Sequence, residues 1–186
     1  MNKHVAIIGH SQVPLNIWTF HQPIEYHYFR LPGATISSIN NHGKFSEFWA
    51  NTYDLTIIVI GGNDIADEHY VVIKERYLDL VNRIRNKDRH VIPCTLEHRT
   101  YAYPYIGRRF IIDSGTYNRI SRSINQYLVR QFRRHNIEYI DLWRHAFRNV
   151  RTRDGTHFDQ EAANRLRNLI VERVHRCFNF EERRWR

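Results

Sequence analysis

Residues 55–64 read Leu55-Thr56-Ile57-Ile58-Val59-Ile60-Gly61-Gly62-Asn63-Asp64. The first six are apolar or β-branched, and they predict a strand that is covered on both faces, as in a parallel sheet between two layers of helices. The two glycines and two polar residues that follow predict a turn at the carboxyl end of this strand. Because ligands of open parallel sheets bind beyond that end, the turn lies where a functional site is expected.

Four other short apolar runs predict further strands, and segments with helical spacing lie between most of them. The runs are Val5–Gly9, Tyr26–Arg30, His90–Cys94 and Ile137–Leu142. The helical patterns are Asp67–Arg85, Tyr117–Phe132 and Asp159–Phe178, the last with Asp159 as its N-cap. Strands that alternate with helices predict an α/β fold with right-handed crossovers. We expect a flavodoxin-like three-layer sandwich, in which a five-stranded parallel sheet of order 2-1-3-4-5 has helices on both faces.

The length of 186 residues fits a single domain. We expect this domain to span residues 1–178 and to be followed by a basic C-terminal tail at residues 179–186. Residues 98–115 have no regular pattern and predict a long loop. The tyrosines of that loop either pack it down or line an acyl pocket, and both interpretations stay open.

The two cysteines, Cys94 and Cys177, are far apart and predict reduced structural thiols rather than a disulfide framework or a zinc site. The N-terminus has no signal-peptide pattern, and no window is apolar enough for a membrane span. We therefore expect an intracellular protein, cytoplasmic or nuclear.

Positive charge is in excess, with 28 Lys and Arg against 19 Asp and Glu and a net charge of +9. A surface of this kind attracts phosphates and other anions, although charge runs commonly only solvate helix faces. Both interpretations stay open. The arginines that we predict to contact a nucleic acid are Arg130, Arg133, Arg134, Arg151 and Arg153.

Polar residues that follow different predicted strands supply the parts that acyl transfer needs. Ser11 is the candidate nucleophile, and His157 is the base that activates it and then the acid that protonates the leaving group. Asp154 would hold the imidazole of His157 in one tautomer and complete a Ser-His-Asp triad. The backbone N–H groups of Ser11 and Gly33 and the side-chain amide of Asn63 would form the oxyanion hole.

Four motifs carry these residues in chain order: Gly9-His10-Ser11-Gln12, Gly33-Ala34-Thr35, Gly61-Gly62-Asn63-Asp64 and Asp154-Gly155-Thr156-His157. Over roughly residues 4–173 the chain resembles the SGNH hydrolase superfamily, also called GDSL-type esterases and lipases. The resemblance implies a flavodoxin-like fold, no metal or other cofactor, and hydrolysis of short acyl esters, such as acetyl esters, through an acyl-enzyme. The serine, glycine, asparagine and histidine of the family fall on Ser11, Gly33, Asn63 and His157.

One position departs from the family pattern, because His10 stands where the family usually has aspartate. His10 changes the charge beside Ser11 and is a candidate for substrate binding, together with Gly62 and Tyr103. A small acyl-ester substrate is the expected partner. The alternative is a basic RNA- or nucleic-acid-binding module on the same fold, because the family includes an RNA-binding member without catalytic residues and members encoded by retrotransposons. A protein-interaction domain with a vestigial site is the third alternative.

Overall fold

Four parallel strands form the sheet of this computed structural model, which describes residues 2–17, 23–100, 112–143 and 156–178. The strands are β1 (Lys3–Gly9), β2 (Ile24–Arg30), β3 (Leu55–Val59) and β4 (Val91–Pro93). Their order is β2-β1-β3-β4, and every pair of neighbours is parallel. The predicted parallel sheet and the order of its first four strands are confirmed.

The fifth predicted strand is reduced to one parallel bridge between Cys94 and Ile140. The N–H of Ile140 donates to the carbonyl of Pro93 (3.0 Å), so this segment lies beside β4, where the predicted order has the fifth strand. Pairing ends there because the carboxylate of Asp141 accepts the N–H of Trp143 and the hydroxyl of Thr95, both at 3.1 Å, and turns the chain away.

Among the residues that the structure describes, five α-helices accompany the sheet: α1 (Ile36–Asn41), α2 (Ser46–Ala50), α3 (Tyr70–Lys87), α4 (Ser114–Arg134) and α5 (Gln160–Cys177). The three long helices agree with the predicted ones to within three residues at each end. Asp159 caps α5 as predicted, because its carboxylate accepts the N–H of Ala162 at 2.9 Å. The short helices α1 and α2 were not predicted.

Two apolar layers separate the helices from the sheet. Side chains alternate along β1, so Ile8 contributes to the layer that contains Tyr77 of α3 and Phe132 of α4, whereas Ile7 contributes to the layer that contains Leu166 of α5. Burial of such a side chain contributes about 1.5–3 kcal/mol relative to its exposure. Helices cover both faces, and the predicted three-layer sandwich is confirmed.

Both cysteines are free thiols in these layers. Burial raises the pKa of Cys94 far above its ordinary value and raises the pKa of Cys177 to about 11. Neither thiol therefore ionises near neutral pH, as structural cysteines require. Within the described ranges, no helix is both long and apolar enough to cross a membrane. The predicted tail at residues 179–186 lies outside these ranges, so the domain boundary stays a prediction.

Candidate active site

The turn after β1 holds Ser11 at the carboxyl end of the sheet. The N–H of His10 donates to the carbonyl of Val59 at the end of β3 (3.1 Å), and the N–H of Val13 donates back to the carbonyl of His10 (3.1 Å). Ser11 itself is half-buried. Its hydroxyl thus lies in a fixed turn where polar residues of several strands meet.

His157 meets Ser11 although 146 positions separate them in the sequence. The distance between its Nε2 atom and the Oγ atom of Ser11 is 3.0 Å, which is within hydrogen-bonding range. A hydroxyl at this distance from an imidazole nitrogen can transfer its proton to that nitrogen as it attacks an electrophile.

The side-chain amide of Gln12 holds the segment around His157. Its Nε2 atom donates to the carbonyl of Thr156 (2.7 Å), and its Oε1 atom accepts the N–H of Phe158 (3.0 Å). One buried amide therefore ties down the backbone on both sides of His157. We did not predict this contact, because the sequence shows Gln12 beside Ser11 but does not show which backbone groups its amide meets.

The turn after β3 is joined to the loop after β2. The Nδ2 atom of Asn63 donates to the carbonyl of Ala34 (3.0 Å), and both carboxylate oxygens of Asp64 accept the N–H of Ile36 (3.0 and 3.2 Å). The Oδ1 atom of Asn63 accepts from Nη2 of Arg99 (3.3 Å), so the two ends of the amide have different partners. The structure thus brings Asn63 to the residue that follows Gly33.

Two predicted site residues, Asp154 and Tyr103, lie outside the described residues, and their roles stay predictions. His10 and Gly62 are described and buried. The ring of His10 is 1% exposed and faces Glu97 rather than solvent, and a side chain at position 62 would come within 2.5 Å of Glu97. The substrate contact predicted for His10 and Gly62 stays a prediction, and their burial does not favour it.

A buried ionic cluster occupies the space beside Gly62. Glu97 Oε1 accepts from Nη2 and Nε of Arg99 (3.1 and 3.3 Å) and from the hydroxyl of Tyr117 (3.4 Å). The Nδ1 atom of His10 accepts the N–H of Gln12 (3.2 Å), which directs the ring proton of the neutral imidazole to Nε2, 3.9 Å from Glu97. The histidine beside Ser11 thus faces a carboxylate.

The same signal that indicates Ser11 and Asn63 also applies to Glu97 and Arg99. Both residues follow a strand, because β4 ends at Pro93 and the chain continues along the carboxyl edge of the sheet. We did not predict them, since no motif marks this segment. Arg99 contacts Asn63 and Glu97 contacts Arg99, so both have a place in the candidate site as positioning residues.

We expect Glu97→Gln to lower the free energy of unfolding by about 3–5 kcal/mol, because it removes the negative charge that the buried guanidinium of Arg99 contacts at 3.1 Å. The double variant Glu97→Gln/Arg99→Met removes both charges and should recover much of this loss. Urea unfolding of both variants measures the difference. Glu68→Gln is the matched control, because its ion pair with Arg76 is solvent-exposed and should contribute at most about 1 kcal/mol. A loss of stability in the double variant equal to the sum of the losses from Glu97→Gln and Arg99→Met alone would contradict the assignment of a buried ion pair between these two residues.

Three of the predicted nucleic-acid contacts, Arg130, Arg133 and Arg134, lie exposed near the end of α4. The first two line a surface groove of about 500 Å³ together with Arg122 and Trp143. Arg151 and Arg153 lie outside the described residues. Nucleic-acid binding stays a prediction.

No protein-family model matches this chain, and no curated protein sequence matches it. Solved structures do share its fold. An acetyl xylan esterase superposes with a TM-score of 0.68 at 16% identity, over 92% of this chain and 99% of the other. A GDSL-like lipase from Bacteroides thetaiotaomicron superposes with a TM-score of 0.67 at 16% identity, over 94% and 88%.

A third similar structure is a psychrotrophic esterase from a Pseudoalteromonas species, described as inhibited by monoethylphosphonate. It superposes with a TM-score of 0.64 at 12% identity, over 96% of this chain and 100% of the other. These likenesses span nearly the whole of both chains. The chain has the fold of GDSL-type hydrolases, and the resemblance in the sequence motifs is confirmed at the level of the fold.

Proposed function

We propose that this chain is a serine hydrolase that cleaves carboxylic esters of short acyl groups through an acyl-enzyme. The observation that carries the proposal is the distance of 3.0 Å between His157 Nε2 and Ser11 Oγ. The fold supports it, because structures of the same fold are named as an acetyl xylan esterase and a GDSL-like lipase. The name of the acetyl xylan esterase is also the support for an acetyl-sized acyl group.

In the proposed reaction, the Oγ atom of Ser11 attacks the ester carbonyl carbon while its proton passes to His157 Nε2. The tetrahedral intermediate collapses when the imidazolium returns this proton to the departing alkoxide, which leaves an acyl group on Ser11. Water then attacks the acyl-enzyme with His157 as base, and the acid product and free Ser11 are formed. No residue is consumed and no cofactor takes part in these steps.

The oxyanion of the intermediate needs donors that are already fixed before the reaction. Asn63 is suited to this role because Arg99 holds its Oδ1 atom and Ala34 accepts one of its two Nδ2 protons. That leaves the other proton to bind the oxyanion. The backbone N–H groups of Ser11 and Gly33 are the proposed second and third donors, and loss of one donor typically costs about 10²–10³ in kcat.

Two further residues would keep His157 in position. Asp154, three residues earlier in the chain, is the proposed partner of the imidazole and would stabilise the imidazolium. Gln12 is a positioning residue, because its amide fixes the backbone on both sides of His157. In this proposal the nucleophile, Ser11, is followed directly in the sequence by Gln12, the residue that positions the base His157.

We expect a fluorophosphonate probe to label the wild-type protein once, on Ser11, because only an activated serine attacks phosphorus at a useful rate. Ser11→Ala should not be labelled, whereas Ser37→Ala, which removes an exposed hydroxyl of α1, should be labelled like the wild type. Intact-protein and peptide mass spectrometry give the stoichiometry and the site. Equal labelling of Ser11→Ala, or no labelling of folded wild type, would overturn the proposal. The preference for short acyl groups is tested by a second measurement. We expect p-nitrophenyl acetate to be hydrolysed faster than p-nitrophenyl octanoate.

A further inference from the structure

Three side chains with metal-binding atoms meet at the amino-terminal end of β1 and β2. This end of the parallel sheet is opposite to the one that carries Ser11. His4 pairs with Glu25 in the sheet register, and His27 pairs with Ala6, two residues after His4. Because side chains alternate along a strand, His4, Glu25 and His27 all lie on the same face of the sheet.

Their candidate ligand atoms are close together. The distance between His4 Nδ1 and His27 Nε2 is 3.1 Å, and Glu25 lies 3.5 Å from His4 Nδ1 through Oε2 and 3.6 Å from His27 Nε2 through Oε1. A tetrahedral zinc ion with bonds of about 2.0–2.2 Å holds its ligand atoms about 3.3–3.6 Å apart. The two distances from Glu25 involve different carboxylate oxygens, and with one ligand atom per residue the three atoms lie within 4.8 Å of one another. The three side chains therefore approach the spacing of three corners of that tetrahedron.

His4 and His27 are held in position by neighbouring residues. The main-chain N–H of His4 donates to the carboxylate of Asp54 (3.0 Å), and the ring of His27 packs against Tyr53, with ring centroids 5.3 Å apart. His4 and Glu25 are exposed, so an ion can enter from solvent and keep one position for water. The site would thus resemble an open three-ligand zinc site rather than a closed four-ligand one.

We propose that His4, Glu25 and His27 form a binding site for zinc, or for a divalent transition ion with similar ligand preferences. Two imidazoles and one carboxylate favour such ions over magnesium or calcium, which prefer oxygen ligands. The bound ion would link β2, an edge strand, to β1. It would bind the folded chain only, so zinc at 100 times its Kd should raise the folding equilibrium constant about 100-fold.

This site was not predicted, because the spacing of the three residues in the sequence resembles no zinc motif. Glu25 and His27 are on β2, and His4 is on the neighbouring strand β1, 21 positions before Glu25. Only the register of β1 against β2 brings them together. The proposal is independent of the hydrolase assignment, since Ser11 and His157 lie at the other end of the sheet.

Calorimetric titration of the tag-free, full-length protein with zinc chloride tests the proposal, and a parallel titration with cobalt(II) reports the geometry. We expect one ion per chain and the strong visible absorption of tetrahedral cobalt(II). Loss of an outer-shell partner alone costs about 10- to 100-fold in metal affinity, so His4→Gln, Glu25→Gln and His27→Gln should each weaken binding by at least roughly tenfold.

The matched control is His135→Gln, which removes an exposed histidine at the end of α4. It should bind zinc like the wild type, and circular dichroism should be unchanged in all four variants because the replaced side chains are outside the core. Absence of stoichiometric binding by the wild type would overturn the proposal. So would equal weakening by His135→Gln, or undiminished binding by the three ligand variants.

Discussion

His157→Ala should reduce kcat for p-nitrophenyl acetate by roughly 10⁴- to 10⁶-fold, the range found when a member of a serine triad is removed. Without the imidazole 3.0 Å from its Oγ atom, Ser11 keeps its proton and is a poor nucleophile. Steady-state kinetics of the purified variant measure the loss. His135→Ala, a change of an exposed histidine, is the control and should leave kcat unchanged.

A double variant shows whether Ser11 and His157 act as a unit. If they do, Ser11→Ala/His157→Ala should be no slower than either single variant, because the second change removes a function that is already lost. Losses that multiply in the double variant would contradict a shared proton-transfer step, as would a residual rate in His157→Ala near that of the wild type.

Gly9→Ala should prevent stable folding, with a loss of more than about 4 kcal/mol in the free energy of unfolding. Gly9 ends β1 with a φ angle of +148°, where side chains are strained. A Cβ atom at this position would lie 1.8 Å from the carbonyl oxygen of Val59 on the neighbouring strand. Since the Cβ atom would be fixed to the backbone of β1 and the oxygen belongs to the backbone of its partner β3, neither can move away without breaking the last pair of these strands.

Thermal and urea unfolding monitored by circular dichroism measure this effect, together with the yield of soluble protein. Gly43→Ala is the matched control, because nothing lies within 4 Å of a Cβ atom there and its backbone is not strained. It should change the free energy of unfolding by no more than about 0.5 kcal/mol. A Gly9→Ala protein as stable as the control would show that the end of β1 can shift, and would disprove the tight approach of Gly9 to Val59.

The sequence predicted most closely the strand whose burial is complete. Strand β3 was predicted as Leu55–Ile60 and ends at Val59, because a strand covered on both faces has an unmistakable apolar run. The fifth strand was predicted as Ile137–Leu142 and keeps only one bridge, because Asp141 uses its carboxylate to turn the chain. Helix α1 was missed because it is only six residues long, too short for a visible helical period.

The prediction of site residues was limited because the sequence does not show in which direction each side chain points. Parallel strands explain why residues after β1, β2 and β3 meet, and so Ser11, Gly33 and Asn63 could be proposed from their order alone. Gln12, Glu97 and Arg99 also follow strands, but this position does not distinguish them from their neighbours, because their importance depends on which distant atoms their side chains contact. The amide of Gln12, which binds backbone groups through both its nitrogen and its oxygen, and the buried ion pair of Glu97 with Arg99 leave no periodicity or motif in the sequence.

The contacts of Gln12 join the turn after β1 to the segment just before α5. During synthesis on a ribosome, Ser11 and Gln12 emerge well before the backbone that Gln12 must bind, because 144 positions separate Gln12 from Thr156. Such contacts between distant segments form late and slowly in folding. Under the proposed function, a nascent or truncated chain without residues 156–178 contains Ser11 but not His157, its proposed base. Reaction with a serine-directed probe would then report that this segment has joined the fold.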